Sequence, residues 1–378
     1  MNITVAASGI PTKEYPLNGT FEFQQAKALA KDGHNVSYLV FDFRPLLIKR
    51  KHGITRTLKD SIKVYIVSIP TGIYRRFMPL LQQLALYMFS LIEKEQGRQD
   101  IINAHFYSIG AICSKIPLHY NTRLVVTEHS SKLNKDISLI SPLDIKVARS
   151  AYKNADVVIA VSNHLAQNLE RNFGVLPHIV GDMVDTDTFC NVKQTAHSGF
   201  NILSVSRLVG GKGFEKLIPS IGIAIRENPS SNISLTIIGD GIKRSEIETL
   251  IVKHGIQKHV KLLGEQNHTG IVKQMEVTDL FVLLSESETF GVSYAEAICA
   301  GIPVIATRCG GPETFINNNN GILVSKENCV TETSDAITSI LNGEIKFNTK
   351  VVKETSAAFY PQTIAQKISD IFSQLKKN

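Results

Sequence analysis

The sequence is short of the features that mark several kinds of specialised chemistry. Its five cysteines, Cys113, Cys190, Cys299, Cys309 and Cys329, form neither a CxxC pair nor a zinc-type spacing. An odd number cannot close a full disulfide framework, so a reducing compartment is expected. The opening residues, MNITVAASGI, contain no basic stretch leading into a long apolar run. No secretory signal is expected there, and a cytoplasmic protein is the expectation. No repeat with a period of about 20 to 50 residues recurs, and Asn317 to Asn320 reads as a polar turn only.

Two phosphate-binding signatures are also missing. A P-loop would need a glycine five positions before Gly211 and a Ser or Thr after Lys212, but those positions hold Ser206 and Gly213. The dinucleotide fingerprint fails as well: Gly239-Asp240-Gly241 is followed by Arg244 at the third glycine position, and the first strand runs into SGIPTKEYPLNGT. Both absences argue against an ATPase or an NAD enzyme of the usual kind. No metal site and no nucleic-acid partner are expected.

What is present describes a two-domain α/β protein. A length of 378 residues exceeds one ordinary core. With 43% hydrophobic and 20% charged residues the composition is that of a globular chain. NITVAAS, HNVSYLVF, KVYIVSI, DIINAHF, RLVVTEHS and DVVIAVS read as buried parallel strands in the first half, and FNILSVSRL, ISLTIIGD, VKLLGE, DLFVLLS and IPVIATR repeat that rhythm in the second. Strand and helix alternating twice over predicts two doubly wound domains, residues 1–190 and 191–378, with a seam in DTFCNVKQTAHS, where the periodicity lapses. The net charge of +7 is lopsided: residues 1–190 hold 22 of the 41 Lys and Arg but 16 of the 34 Asp and Glu. That excess suits an anionic surface or ligand, or simply solvated Lys-rich helix faces.

Ligands of open parallel sheets bind beyond the carboxyl ends of the strands. Arg207 and Lys212 follow SVSRL around a glycine turn, and Glu286, Glu288 and Glu296 follow FVLLS. Such an edge suits an anionic, hydroxyl-rich ligand. Ser293-Tyr-Ala-Glu296 also reads as a capping box, which would explain Glu296 without any ligand. Glu288 has no capping role, its alternative being a solvated loop acid.

The stretch ESETFGVSYAE, continued by AICAGIPVIATRCGGPETFINNNNGILV, resembles the EX7E region of the retaining glycosyltransferase family four, the glycogen-synthase-like group with the GT-B fold. SVSRLVGGKGF is similar to the Arg and Lys diphosphate clamp of that family, LTIIGDG to its next strand and turn, VSNHLAQNL to its interdomain helix, and LNGTFEFQQAKALAKDGH to its glycine loop and first helix. The resemblance covers nearly the whole chain. It implies two Rossmann-like doubly wound domains facing each other across a cleft, an acceptor-binding first domain, a donor-binding second domain, and a last helix that crosses back. It implies a UDP- or GDP-sugar donor, a glycan or lipid-linked acceptor of bacterial surface type, retention of anomeric configuration and no metal.

By the same resemblance, Arg207 and Lys212 hold the diphosphate, Glu296 accepts from the ribose hydroxyls, and Glu288 lies against the donor sugar. Phe290, Gly291 and Val292 offer backbone groups, Gly19 lets the first-domain loop approach the diphosphate, and His129 in TEHSS lies near the donor sugar. The chain departs from the family in VGDMVDTDTF, where Asp182 stands at an Asn position, and the interdomain segment is expected to be tuned differently. A sugar-nucleotide epimerase of the same fold, or a silent sugar-nucleotide or glycan-binding protein, is the alternative.

One further segment stands out. In IYRRFMPLLQQLALYMFSLIEKE, Phe77, Leu80, Leu81, Leu84, Met88, Leu91 and Ile92 follow helical spacing, while Leu86, Tyr87 and Phe89 fall off that face. The helix either packs within the protein or docks, with Arg75, Arg76, Lys49, Arg50 and Lys51, on an anionic membrane.

Overall fold

The computed structural model describes residues 1–15, 18–45, 47–48, 50–70 and 77–377. They form two compact units: Met1–Met183 together with Pro361–Asn378, and Val184–Tyr360.

The first unit is built on strands β1 (Asn2–Ala7), β2 (Asn35–Asp42), β3 (Gly53–Lys59), β4 (Ile62–Ser68), β5 (Ile101–His105), β6 (Arg123–Glu128), β7 (Val157–Ala160) and β8 (His178–Ile179). Their order across the sheet is β3-β4-β2-β1-β5-β6-β7-β8, and only the β3–β4 pairing is antiparallel. In β1 the residues Ile3, Val5, Ala6 and Ala7 are all fully buried. Both faces of the strand are covered by helices, so its sequence is a continuous apolar run rather than an alternation. The exposed β3, which the apolar pattern does not reveal, is polar and charged along most of its length, as suits an edge.

The second unit carries β9 (Phe200–Val205), β10 (Ile233–Ile238), β11 (Val260–Leu262), β12 (Leu280–Leu283), β13 (Val304–Thr307) and β14 (Gly321–Val324), all parallel, in the order β11-β10-β9-β12-β13-β14. Every strand read from the sequence is present; β3, β8 and β14 are additional.

The division of the chain falls earlier than the 190/191 seam expected from periodicity. Val184 N donates to Phe359 O at 3.1 Å, Thr195 N donates to Glu276 O at 2.8 Å, and the Phe189 ring sits 5.6 Å from that of His268. These contacts tie residues 184–195 to the second unit, although their sequence shows no strand or helix rhythm.

The last helix, Pro361–Lys377, belongs to the first unit. Its Ile364, Ala365, Ile368 and Phe372 share a core with Ile3, Phe23 and Leu29. Ser369 Oγ lies 2.8 Å from His34 Nε2 and 2.5 Å from Asp32 Oδ2, and Lys376 pairs with Asp100 at 3.1 Å.

The helix Met78–Gln96 buries Leu81, Ala85, Met88, Phe89 and Ile92. The buried stripe is therefore not the one expected. Phe89 is in the core, because positions 81, 85, 88, 89 and 92 share a face, whereas Phe77 and Leu80 are 53% and 66% exposed and Tyr87 is 53% exposed. Among the described residues no helix is long and apolar enough to cross a membrane. Of the cations assigned to lipid docking, Lys49, Arg75 and Arg76 lie outside the described residues. Arg50 is only 8% exposed, and its guanidinium is held by Asp42, Ser68 Oγ and backbone carbonyls, so it is a structural staple with nothing left for a lipid.

Candidate functional site

In each sheet the strand order reverses once beside its central strand, between β1 and β5 in the first unit and between β9 and β12 in the second. Segments leaving the carboxyl ends of such neighbouring strands diverge to opposite faces and open a crevice. The residues singled out from the sequence follow β1, β9 or β12, or follow β6.

In the second unit, β9 ends at Val205 and leads through Arg207 to Lys212. Gly213, at φ 73°, then starts the helix Phe214–Glu227. A Cβ on Gly213 would fall 1.8 Å from Leu284 O, so only glycine lets this turn lie against the end of β12. Glu286 N donates to Gly211 O at 2.9 Å and closes the two segments together. That closure carries Lys212 onto Glu288, with Nζ 2.6 Å from Oε1, and Ser285 Oγ donates to the same oxygen at 2.8 Å. The Glu288 backbone is fixed from β13: its N–H donates to Cys309 O at 3.1 Å, and its carbonyl accepts from Gly311 N at 2.9 Å. Glu288 is thus a held acid, not a solvated loop acid. Arg207 is exposed and makes no ion pair among the described residues.

The helix Val292–Cys299 begins at Gly291, and no side chain caps it. Ser293 lies inside the first turn, so the capping box read from Ser293 and Glu296 is not formed. Freed of that role, the Glu296 carboxylate has no hydrogen-bond partner among the described residues. Burial, with a smaller push from the Asp185 charge, raises its carboxyl pKa to about 8. A half-buried acid without donors is what a ligand's hydroxyl groups would complete. Phe290 points inward and packs against Phe315 at 4.9 Å and Phe359 at 5.8 Å. Among the described residues no hydrogen bond takes the backbone N–H groups of Phe290, Gly291 and Val292, and such groups at a helix start attract anions.

In the first unit, Gly19 has φ 72° and precedes the helix Thr20–Lys31. A Cβ there would lie 2.3 Å from the Gly9 carbonyl, so this glycine is required by the loop folding on itself. His129 follows β6 and is held from behind by Glu128. That fully buried carboxylate accepts from His129 N at 3.1 Å, Ser130 N at 2.8 Å, Tyr107 N at 2.8 Å and the Tyr152 hydroxyl at 2.7 Å. Burial nevertheless raises the Glu128 pKa.

The His129 ring touches two groups that the sequence alone does not assign to the site. Its Nε2 lies 2.9 Å from His105 Nδ1 and its Nδ1 lies 2.9 Å from Asp182 Oδ1. The buried Glu22, from the helix after Gly19, adds its field to the same cluster. Phe106, next to His105, has φ 69°, a strained value for a bulky residue. His105 stands at the end of DIINAHF, where position alone marks it. Nothing in the sequence signals that Asp182, visible only as a departure from the family pattern, meets His129.

Comparison with known proteins places the chain in a family. Residues 185–357 match the model for glycosyl transferases group 1, and residues 20–188 match that for glycosyltransferase family 4. The chain is 25% identical over 299 residues to a component of the phosphatidylinositol N-acetylglucosaminyltransferase of Arabidopsis thaliana, covering 77% of this chain but only 64% of that relative's length. It is 24% identical over 369 residues to N-acetyl-alpha-D-glucosaminyl L-malate synthase of Bacillus anthracis, covering 93% of this chain and 91% of the relative. Among solved structures, sucrose-phosphate synthase of Thermosynechococcus elongatus superposes with a TM-score of 0.78 at 18% identity over 99% of both chains. Anabaena HepE in complex with UDP does so with a TM-score of 0.74 at 19% identity over 99% of this chain and 100% of that one. The chain belongs to glycosyltransferase family 4 and has the GT-B fold.

Proposed function

We propose that the protein transfers a sugar, N-acetylglucosamine by preference, from a nucleotide-diphosphate donor to an acceptor hydroxyl with retention of anomeric configuration. The observation that carries this reading is the crevice edge of the second sheet. There Arg207 and Lys212, the helix start at Gly291, and an acid with no internal donor, Glu296, all follow strands of one sheet or open the next helix. Cations and helix N–H groups suit a diphosphate, and Glu296 suits the two ribose hydroxyls.

Chemically, the bond between the anomeric carbon and the diphosphate oxygen breaks first, and negative charge gathers on the leaving group. Arg207 and Lys212 stabilise that charge. The acceptor oxygen then bonds to the same face of the anomeric carbon, and its proton passes to the departing diphosphate oxygen. Glu288, which shares Lys212, lies against the donor sugar. Arg207 and Lys212 supply the charge that a metal would otherwise bring.

N-acetylglucosamine is favoured because both curated relatives carry an N-acetylglucosaminyl group in their names. UDP is favoured as the nucleotide because the superposed Anabaena protein is in complex with it. The acceptor belongs to the first unit. A cavity of about 250 Å³ opens there at the ends of β1, β2 and β4, lined by Tyr15, Asn18, Arg44, Lys51 and Ser68 among others. We assign it a glycan or lipid-linked acceptor used on the cytoplasmic side of a membrane, with the exposed Phe77, Leu80 and Tyr87 of the helix Met78–Gln96 resting on the lipid.

The test is a panel of nucleotide sugars screened by thermal shift, followed by NMR of the product. A ligand well above its dissociation constant stabilises by several kcal/mol, so the donor should stand out. An inverted anomeric centre would exclude the retaining mechanism, and the absence of transfer from every donor would leave only binding.

A further inference from the structure

The groups around His129 form one chain. Asp182 Oδ1 is 2.9 Å from His129 Nδ1, and His129 Nε2 is 2.9 Å from His105 Nδ1. Each ring nitrogen of His129 therefore faces a partner atom, a ring nitrogen at Nε2 and a carboxylate oxygen at Nδ1, and His105 Nδ1 accepts when His129 Nε2 carries a proton. The His105 ring stacks on that of His129 at 5.1 Å with 13° between the planes, and the Phe106 ring covers it at 5.3 Å. His105 Nε2 is buried without a partner among the described residues, which suits a neutral ring with its acceptor Nδ1 turned to His129. The Nδ1 of His129 is close to Asp182 but poorly aimed for a hydrogen bond. What Asp182 supplies is therefore charge.

We propose that Asp182 is a positioning residue that holds His129 as an imidazolium, a fixed positive charge at the carboxyl edge of the first sheet on which transfer depends. This rests on the transferase reading above.

The titratable groups facing His129 come from four elements. Asp182 follows β8, Glu22 lies on the helix Thr20–Lys31, Glu128 ends β6, and the neutral His105 ends β5. Burial opposes charge on the ring, but Asp182 foremost, then Glu22 and Glu128, outweigh it and raise the His129 pKa. Burial together with the neighbouring His129 drives the His105 pKa well below the ordinary value. Charge on the pair is thereby confined to His129. Glu22 has its pKa raised by burial and so yields the role of counter-ion to Asp182.

The experiment compares the full chain with Asp182→Asn and Asp182→Glu, reading both the His129 ring by NMR titration and transfer as a function of pH. Activity that needs an imidazolium persists below the histidine pKa and is lost as pH rises through it. An opposite charge at this range moves a pKa by about 1–3 units. In Asp182→Asn the His129 midpoint should fall by at least about one unit, and the alkaline limb of transfer should move down with it. That amounts to a loss of about tenfold on the limb, with little change at low pH. Asp182→Glu should restore both.

An unchanged His129 midpoint in Asp182→Asn overturns the proposal whether or not transfer is detected. A shifted midpoint with an unmoved pH profile overturns its functional half. If Asp182→Asn does not fold, the parent protein decides: a His129 midpoint at or below about 6.5 refutes the imidazolium. Failure of every donor to react would count against the transferase reading alone, because the NMR titration needs no substrate.

Discussion

Lys212 and Glu288 are an ion pair, Nζ to Oε1 at 2.6 Å, formed by residues that leave the two central strands β9 and β12. The cation assigned to the diphosphate and the acid assigned to the sugar are thus one unit, with Ser285 fixing the acid from the side.

Removal of either clamp residue should be costly. Arg207→Ala and Lys212→Ala each take a charge from beside the leaving group, so turnover should fall on the order of a hundredfold. Because Lys212 also neutralises Glu288, the Lys212→Ala/Glu288→Ala double variant should lose less than the product of the two single losses. Steady-state kinetics of the four proteins checks this. Normal turnover in Arg207→Ala would remove it from the clamp.

Glu296 and Glu288 should separate by ligand. Glu296→Ala should weaken free nucleotide, whereas Glu288→Ala should leave nucleotide affinity close to normal and reduce transfer. Calorimetry with the nucleoside diphosphate alone distinguishes them, and equal losses of affinity would refute the division.

The raised pKa of Glu296 has a pH signature with a definite sign. With a folded value of about 8 against an ordinary 4.5, the folded protein keeps a proton that the unfolded chain loses, so stability is full below about 4.5 and declines towards pH 8. The ligand-free protein should therefore melt lower at pH 8 than at pH 5, and Glu296→Gln should flatten that decline. Ribose hydroxyls donating to the carboxylate favour its ionised form, so nucleotide should bind more tightly as pH rises towards 8. Melting curves and calorimetry across this range test both halves. A decline in melting temperature identical in Glu296→Gln would mean that other groups cause it.

Chelation should leave transfer largely intact, since Arg207 and Lys212 are placed to carry the charge. Strict dependence on added magnesium or manganese would contradict the metal-free mechanism.

Vesicle binding tests the exposed stripe of the helix Met78–Gln96. The protein should sediment with anionic vesicles at low ionic strength, less so with added salt, and less in Leu80→Ser/Tyr87→Ser, whose side chains stand outside the core. No sedimentation at low salt would favour an acceptor taken from solution.

The strands are the most legible part of the fold, because burial on both faces writes itself as runs such as NITVAAS and DLFVLLS. β3 is hidden because an edge strand has no such run, and the stripe of Met78–Gln96 is easily misread because that helix is apolar on two sides. In the site, Arg207, Lys212 and Glu288 are visible through their places after strands. The capping box misleads because Ser-x-x-Glu spacing says nothing about where a helix begins. Asp182 meeting His129 is invisible, since a contact between residues 53 positions apart depends on how β6 and the segment after β8 end at the same edge.

The last helix gives the chain an order of assembly. Residues 184–360 form a unit of their own, but the first unit lacks Ile364, Ile368 and Phe372 from its core until synthesis has passed that whole insertion. The first unit is therefore completed only after the second. A chain cut after Tyr360 would damage not the unit beside the cut in sequence but the one that precedes it.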